Sequence, residues 1–249
     1  MGSLKTDVFV CLDCETTGLT PETDKIIEIA VVLFNFDGIL KSYETLIDPE
    51  SPISPESIAI HHITDEMVKG KPKIQEVMPI ILDFIGKHTI VGHGIPTDIA
   101  FLAQAAKNCE IPHRLNSHPF FDTLRLARLY GQSPTNSLEK LREHFNIQAE
   151  GAHRAMNDVI VNIEVFKYLT TNFKTTQQIH ERLSKPILLK TMPLGKHKGR
   201  SFCDIPVEYL QWAVNKDFDQ DLIFSLKTEL KKRKKGNQFR QAANPFASL

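Results

Sequence analysis

Residues 26–36 form a long apolar run rich in β-branched side chains, and the run leads straight into Asp37-Gly38. Branched side chains suit a pleated strand, and Asp-Gly between two apolar runs is a strong hairpin signal. The run is therefore expected to pair antiparallel with the next one, residues 43–47, which stops at Asp48-Pro49. A shorter apolar run, residues 8–12, precedes both. From Ile74 the period changes: Ile74, Val77, Met78, Ile81, Leu82 and Ile85 recur at helical spacing. Residues 89–91 read as a buried strand, and Ile99, Leu102, Ala103 and Ala106 mark a helix starting near Thr97. A strand over 119–121 and helices over 123–130, 137–145, 154–172 and 175–184 follow. Strands interleaved with helices after an antiparallel opening predict an α/β fold with a mixed central sheet.

With 249 residues, 41% apolar and 24% charged, the chain can form one large domain and a small appendage; disordered, collagenous and coiled-coil classes are excluded. No stretch approaches the roughly 18 apolar residues of a membrane span, and the N-terminus does not resemble a signal peptide. The expectation is a cytoplasmic protein with no membrane partner. Cys11, Cys14, Cys109 and Cys203 are too few and scattered for a disulfide framework, and Cys11-x-x-Cys14 lacks the second pair of a zinc site.

The 30 basic and 30 acidic residues cancel overall but not locally. Residues 1–185 hold 18 basic and 24 acidic side chains, a net of −6; residues 186–249 hold 12 and 6, a net of +6. Lys185-Pro186 reads as a linker. The expected organisation is a domain over 1–184, a small basic α+β module over 187–236 and a flexible tail over 237–249. A basic module suggests an anionic partner, although the run 231–235 also suits a helix C-terminus.

Asp13-Cys14-Glu15-Thr16-Thr17-Gly18 follows the first apolar run. In an extended chain residues two apart share a face, so Asp13 and Glu15 can present both carboxylates to one point. Asp98 opens a helix behind residues 90–91, and Asp158 lies in the first turns of the last long helix, five residues after His153. Each acid alone reads equally as a cap or a solvated residue. Together, four acids and an imidazole at strand and helix ends suit hard, oxygen-ligated ions such as Mg²⁺ or Mn²⁺.

Asp13-x-Glu15-Thr-Thr-Gly18, Val91-Gly92-His93-x4-Asp98 and His153-Arg154-Ala155-x2-Asp158 resemble the three exonuclease motifs of the DnaQ-like superfamily, DEDDh branch, the family of the proofreading epsilon subunit. The segment from Ser54 to Thr64 and Phe121-Asp122-Thr123-Leu124 resemble further family features, so the likeness spans about residues 7–172. The resemblance implies an RNase H-like fold and stepwise 3′→5′ release of nucleoside monophosphates from single-stranded ends. It implies that Asp13, Glu15, Asp98 and Asp158 hold two divalent ions, Mg²⁺ or Mn²⁺, with His153 as general base. Thr16, Thr17 and the backbone near Gly18 would hold the terminal nucleotide, and His93 joins the substrate-binding set. The chain departs from the family at Gly94-Ile95 and Thr97, where Asn-Ala and Phe are common; an aromatic that could stack on a base is thereby missing. His61-His62 invites a zinc reading, but adjacent loop residues point apart.

Residues 192–202, with Ile205-Pro206 and Tyr209-Leu-x-Trp212, resemble a small bacterial module linked to quorum-sensing-regulated virulence factors. Lys196, Lys198 and Arg200 lie on a Gly-flanked turn whose backbone N–H groups could also face a phosphate. Leu194, Phe202, Ile205, Tyr209, Leu210, Trp212 and Phe224 are its expected core positions. Gln241-Ala-Ala-Asn-Pro-Phe246 faintly resembles a sliding-clamp-binding pattern without its central Leu.

The leading expectation is a metal-dependent 3′→5′ exonuclease on single-stranded DNA, of the proofreading or repair kind, with a DNA polymerase subunit as a further partner. Trimming of RNA ends is the alternative within the class, because sugar discrimination depends on pocket shape near the 2′-OH. A non-catalytic polymerase subunit or nucleic-acid-binding module is the alternative outside it.

Overall fold

The computed structural model describes residues 3–133, 135–148 and 154–242, with side chains through 235. His153 lies outside the described residues, as do most of the Gln241–Phe246 pattern and residues 243–249 of the expected tail. The chain divides into two compact units, Met1–Leu183 and Ser184–Leu249.

The first unit opens with β1 (Phe9–Thr16), β2 (Ile26–Phe34) and β3 (Ile39–Leu46). Helices α1 (Pro55–His61), α2 (Asp65–Val68) and α3 (Ile74–Ile85) lead to β4 (Thr89–Gly92), α4 (Pro96–Asn108), β5 (Phe120–Asp122) and α5 (Thr123–Tyr130). Then come α6 (Leu138–His144), α7 (Ala155–Leu169) and α8 (Thr176–Leu183). The sheet order is β3-β2-β1-β4-β5, antiparallel from β1 to β3 and parallel from β1 through β4 to β5. The expected hairpin is present, and Asn35 builds it: its side-chain oxygen accepts from the N–H groups of Asp37 and Gly38, and its own N–H donates to Gly38 O.

Both faces of the sheet are covered, which is why β2 reads as a continuous apolar run rather than an alternating one. Phe9, Cys11, Ala30, Val32 and Phe34 pack against Val159, Ile163 and Phe166 of α7. Val10, Leu12, Ile29 and Val31 face α3 and α4 instead. Cys11 and Cys14 fall on opposite faces of β1, so they share no site.

β1 runs four residues past the expected end. Its antiparallel register with β2 continues through Asp13↔Ala30 and Glu15↔Glu28 to Thr16↔Ile26, so polar residues that resemble a strand end are held extended by their neighbour. α1 has the start signal of a helix, with Pro55 at its first turn and Ser54 Oγ accepting from Ser57 N.

The second unit has its own core of Met192, Phe202, Ile205, Leu210, Ala213, Leu222 and Leu226. Its elements are short 3-10 turns at Gly195–His197 and Phe202–Asp204, α9 (Val207–Ala213) and α10 (Gln220–Ala242). The β part of the expected α+β module amounts to one antiparallel bridge, Thr191 with Ser201. Leu194, Trp212 and Phe224, expected in the core, are exposed; α9 turns Leu210 and Ala213 inward instead. Among the described residues no helix is long and apolar enough to cross a membrane.

Candidate active site

On β1 the residues facing α7 are Phe9, Cys11, Asp13 and Glu15, by simple alternation. The first two pack against the body of the helix. The other two reach its N-terminal turns, where Asp158 is the fourth helical residue. One carboxylate oxygen from each of Asp13, Glu15 and Asp158 lies within 4.8 Å of the others. Burial raises the Asp13 carboxyl well above the usual carboxylate range, and the charges of Asp98, Glu15, Asp158 and Glu28 push it further. Burial, Asp158, Glu28 and Asp98 push Glu15 up to about 7, with Arg154 opposing. A half-buried all-oxygen cluster that resists ionisation could hold a hard divalent cation, which would relieve the repulsion.

Asp98 is held differently. β4 pairs with β1 only as far as Cys11, and beyond it the Cys14 N–H donates to Asp98 Oδ1 at 3.0 Å. Asp98 therefore stands beside the three-acid cluster and is not part of it. Burial pushes its carboxyl up to about 7 against the lowering effect of that N–H.

β4 and β5 end together at Gly92 and Asp122 while β1 runs on to Thr16, which makes a crevice at the carboxyl ends of the parallel strands. Asp122, buried at the end of β5, accepts from Gly94 N and Leu124 N, both at 2.9 Å, and so ties the β4–α4 turn to the start of α5. His93 Nδ1 lies 3.0 Å from Thr123 Oγ1, whose proton goes to Asn162 Oδ1 at 2.6 Å. Burial holds the imidazole down at about 4, so it is neutral at neutral pH.

The start of α7 is clamped by a residue that the motifs do not include. Glu28, across the ladder from Glu15, is 3% exposed. Its carboxylate accepts from Arg154 Nε at 3.0 Å, Arg154 Nη2 at 2.6 Å and Ala155 N at 3.0 Å. One buried acid thus satisfies an open N–H at the helix start and holds the residue after His153. The signal in the sequence is a lone acid inside the apolar run of β2, since a buried charge needs a partner.

A cleft of about 310 Å³ lies between the acids and α6; its walls include His93 and Val161 and, on the α6 side, Ser137, Glu139 and Arg142. Arg142 is the only Lys or Arg among those lining residues, and nothing in the motifs marks it. Thr16 Oγ1 donates to Gly18 O at 2.6 Å. Thr17 does not serve as expected: it is buried, its hydroxyl donates to Asp24 Oδ1 and accepts from Lys25 N, and its N–H donates to Lys25 O. Those bonds build the loop and leave nothing for a nucleotide. Gly18 cannot carry a side chain, because a Cβ would lie 2.5 Å from the Asp24 carboxylate. Leu19, next along, is 89% exposed. His61 is buried at the end of α1 and His62 is exposed in the left-handed cap, so the pair splits.

In the second unit Lys196 and Lys198 are exposed on their turn. Arg200 is engaged with Asp204 O and His197 Nδ1. Three N–H groups of the expected backbone cradle are used within the turn: those of Lys198, Gly199 and Arg200 donate to Gly195 O, Met192 O and His197 O.

Comparison with known proteins agrees with this geometry. The sequence profile of the Exonuclease family matches residues 10–166, and that of the quorum-sensing-regulated virulence factor family matches residues 180–230. The DNA polymerase III epsilon subunit of Treponema pallidum is 35% identical over 162 residues, covering 64% of this chain and 74% of that protein. The Aquifex aeolicus epsilon subunit is 32% identical over 159 residues, covering 64% and 78%. The PolC-type DNA polymerase III of Clostridium perfringens is 33% identical over 195 residues, covering 76% of this chain but 13% of that much longer protein. Among solved structures, exonuclease X bound to 5′-overhanging duplex DNA superposes with a TM-score of 0.56 at 26% identity, covering 70% of this chain and 98% of the other. E. coli exonuclease I with a dA16 oligonucleotide has a TM-score of 0.62 at 18% identity, covering 72% and 43%, a likeness of fold alone.

Proposed function

The chain belongs to the exonuclease family, of the DnaQ and epsilon type, and from that premise we propose that it is a DEDDh enzyme releasing nucleoside 5′-monophosphates from the 3′ ends of single-stranded DNA. The observation that carries the reading is the convergence of Asp13, Glu15 and Asp158, with Asp98 beside them, at the carboxyl end of the central strand. The four acids would hold two divalent ions, Mg²⁺ or Mn²⁺, which when bound supply an acidified water and charge neutralisation at the leaving 3′ oxygen.

The chain's own residues do the rest. His153 accepts the proton of the attacking water on an imidazole nitrogen. Arg142 meets a substrate phosphate across the cleft, and a guanidinium suits that contact because it can donate two parallel hydrogen bonds. His93, neutral and held by Thr123, keeps a fixed polar edge on the cleft wall. Leu19 offers an exposed apolar surface to the terminal base, and Thr16 with the Gly18 backbone holds the loop that carries it. Lys196, Lys198 and Arg200 of the second unit contact the phosphate backbone and take no part in the chemistry. The domain is taken as 1–184 and the basic module as 187–236, and a polymerase subunit is the natural protein partner, because the epsilon relatives are subunits of such an enzyme.

The test is incubation with matched end-labelled DNA and RNA oligonucleotides in Mg²⁺, Mn²⁺ or chelator. Release of deoxynucleoside monophosphates from the 3′ end, abolished by chelator, is expected. Faster release from RNA would transfer the activity to RNA ends, and no release from either strand would overturn the reading.

A further inference from the structure

The second unit carries a row of aromatic rings that begins against its core and ends on an exposed tryptophan. α9 buries Leu210 and Ala213, packs half-buried Tyr209 against that core and leaves Trp212 51% exposed. The rings are contiguous: His197 and Tyr209 have centroids 4.5 Å apart at 80°, and Tyr209 and Trp212 5.2 Å apart at 45°. The row is rigid at its inner end, because His197 is buried and a Cβ on Gly195 would come within 3.0 Å of the Tyr209 hydroxyl. The basic turn is thus seated directly on Tyr209.

Cations flank the row at both ends. Lys196 and Lys198, both exposed, bracket His197. Lys216 Nζ lies 5.0 Å from the centre of the Trp212 ring. Glu208, the one acid on α9, is exposed a turn before Trp212 and is outnumbered by these lysines. A large planar ring at the surface leaves apolar area in water at a cost that a stacked partner would recover. A base has a π-face of the right size whatever its identity, and it arrives attached to phosphates that lysines attract.

We propose that Trp212 is a stacking platform for a base of single-stranded nucleic acid, with Lys196, Lys198 and Lys216 on the neighbouring phosphates, so that the second unit holds single strands independently of the acid cluster. The proposal rests on the reading of the first unit as a nuclease of single strands, but its test does not depend on catalysis. A protein partner is the competing occupant. It is disfavoured because a single exposed ring beside Lys216, on a row whose other end carries Lys196 and Lys198, offers charge for a polyanion and little continuous apolar surface.

Trp212 is the only tryptophan of the chain, so intrinsic emission reports on this position alone. The full chain carrying Asp13→Asn, in chelator to prevent hydrolysis, is titrated with an oligothymidylate of about 20 nucleotides, and anisotropy of a labelled copy is followed in parallel. Emission should be quenched with the same midpoint as the anisotropy, and an abasic strand of equal length and charge should bind more weakly without the quench. Trp212→Ala should weaken binding by about 5- to 150-fold, the range for loss of one stacked base, while Trp212→Phe keeps most of the affinity. Wild-type emission alone decides the matter should the alanine variant fail to fold. Saturated anisotropy with unchanged emission would overturn the platform, leave the face for a protein partner, and leave the nuclease reading intact. No hydrolysis of any single strand by wild-type protein in Mg²⁺ or Mn²⁺ would overturn the nuclease reading itself.

Discussion

Glu28→Gln removes one charge, keeps the shape of the side chain, and so isolates what the clamp at the start of α7 does. Glu28 accepts from two Arg154 nitrogens and from Ala155 N. The glutamine oxygen can still accept one of these, while its NH₂ faces donors. Breaking a fully buried ion pair costs about 3–5 kcal/mol and breaking a surface pair about 0–1. Here Glu28 is buried but the Arg154 side chain is 48% exposed and regains water once released, so the loss should fall between these, at about 2 kcal/mol. For a domain of this size that corresponds to a fall of roughly 4–8 °C in Tm. Asp158 sits one turn further into the helix, and misplacing a reacting group by about 1 Å can cost 10²-fold. Single-turnover hydrolysis of a labelled oligonucleotide in Mn²⁺ should therefore slow by about 10²-fold with KM little changed, and thermal melts in chelator should show the lower Tm. A variant with wild-type Tm and rate would refute the clamp. A lowered Tm with an unaltered rate would leave Glu28 as a residue of the fold and refute its part in positioning Asp158.

Asp13→Asn and Asp158→Ala should each abolish turnover while circular dichroism stays native, and the metal-free Tm of the Asp13 variant should not fall, because it removes the acid that every neighbour repels; near-wild-type cleavage would remove that residue from the ligand set. Glu15 and Asp98 have folded-state values raised to about 7, so their contribution to stability is complete below their unfolded values near 4 and is lost as pH rises through 7. Metal-free Tm should accordingly fall from pH 5 to pH 8, and Mg²⁺ or Mn²⁺ should raise it more at pH 8 than at pH 6; melts that ignore pH would contradict the repulsion. Arg142→Ala should lower kcat/KM on oligonucleotides by about 10- to 100-fold, the loss of one charged hydrogen bond, with Tm unchanged, and wild-type kinetics would clear Arg142 of substrate contact. His153→Ala should slow turnover by about 10²–10⁴-fold with metal affinity preserved, whereas calorimetry showing an equal loss of metal binding would make it a ligand.

How far the sequence reached can be followed residue by residue. The mixed sheet and the hairpin came from the apolar run of β2 and from Asp37-Gly38, and the family from motifs that the profile match confirms. The end of β1 did not, because Asp13 and Glu15 look like a strand giving way to a turn, and only the register with β2 keeps them extended. Glu28 and Arg142 escaped for different reasons. Glu28 is hidden in an apolar run and its partner is 126 residues away; Arg142 belongs to an ordinary amphipathic helix whose orientation toward the cleft is a tertiary fact. Trp212 reads as a core position but is exposed, because Tyr209 and Trp212 have the same three-residue spacing as Leu210 and Ala213. Periodicity finds the stripes but cannot choose between them when both are apolar.

The acids also explain why this unit needs a sheet covered on both faces. Four neighbouring carboxylates destabilise the fold, and three of them are relieved by different devices. Asp98 takes the Cys14 N–H that no strand can use, and Asp158 sits in the first turns of a helix, where negative charge is favoured. Arg154, drawn in by Glu28, lowers Glu15. Asp13 has no such relief and is pushed up by every neighbour, so it has the most to gain from a cation. Its backbone is also held in the long ladder that pairs all of β1 with β2, behind aromatic packing of Phe9 against Phe34, Phe121 and Phe166. The most costly carboxylate is thus carried by the strand with neighbours on both sides. That placement keeps the acids assembled without an ion, so a cation that bound there would spend no binding energy on ordering them.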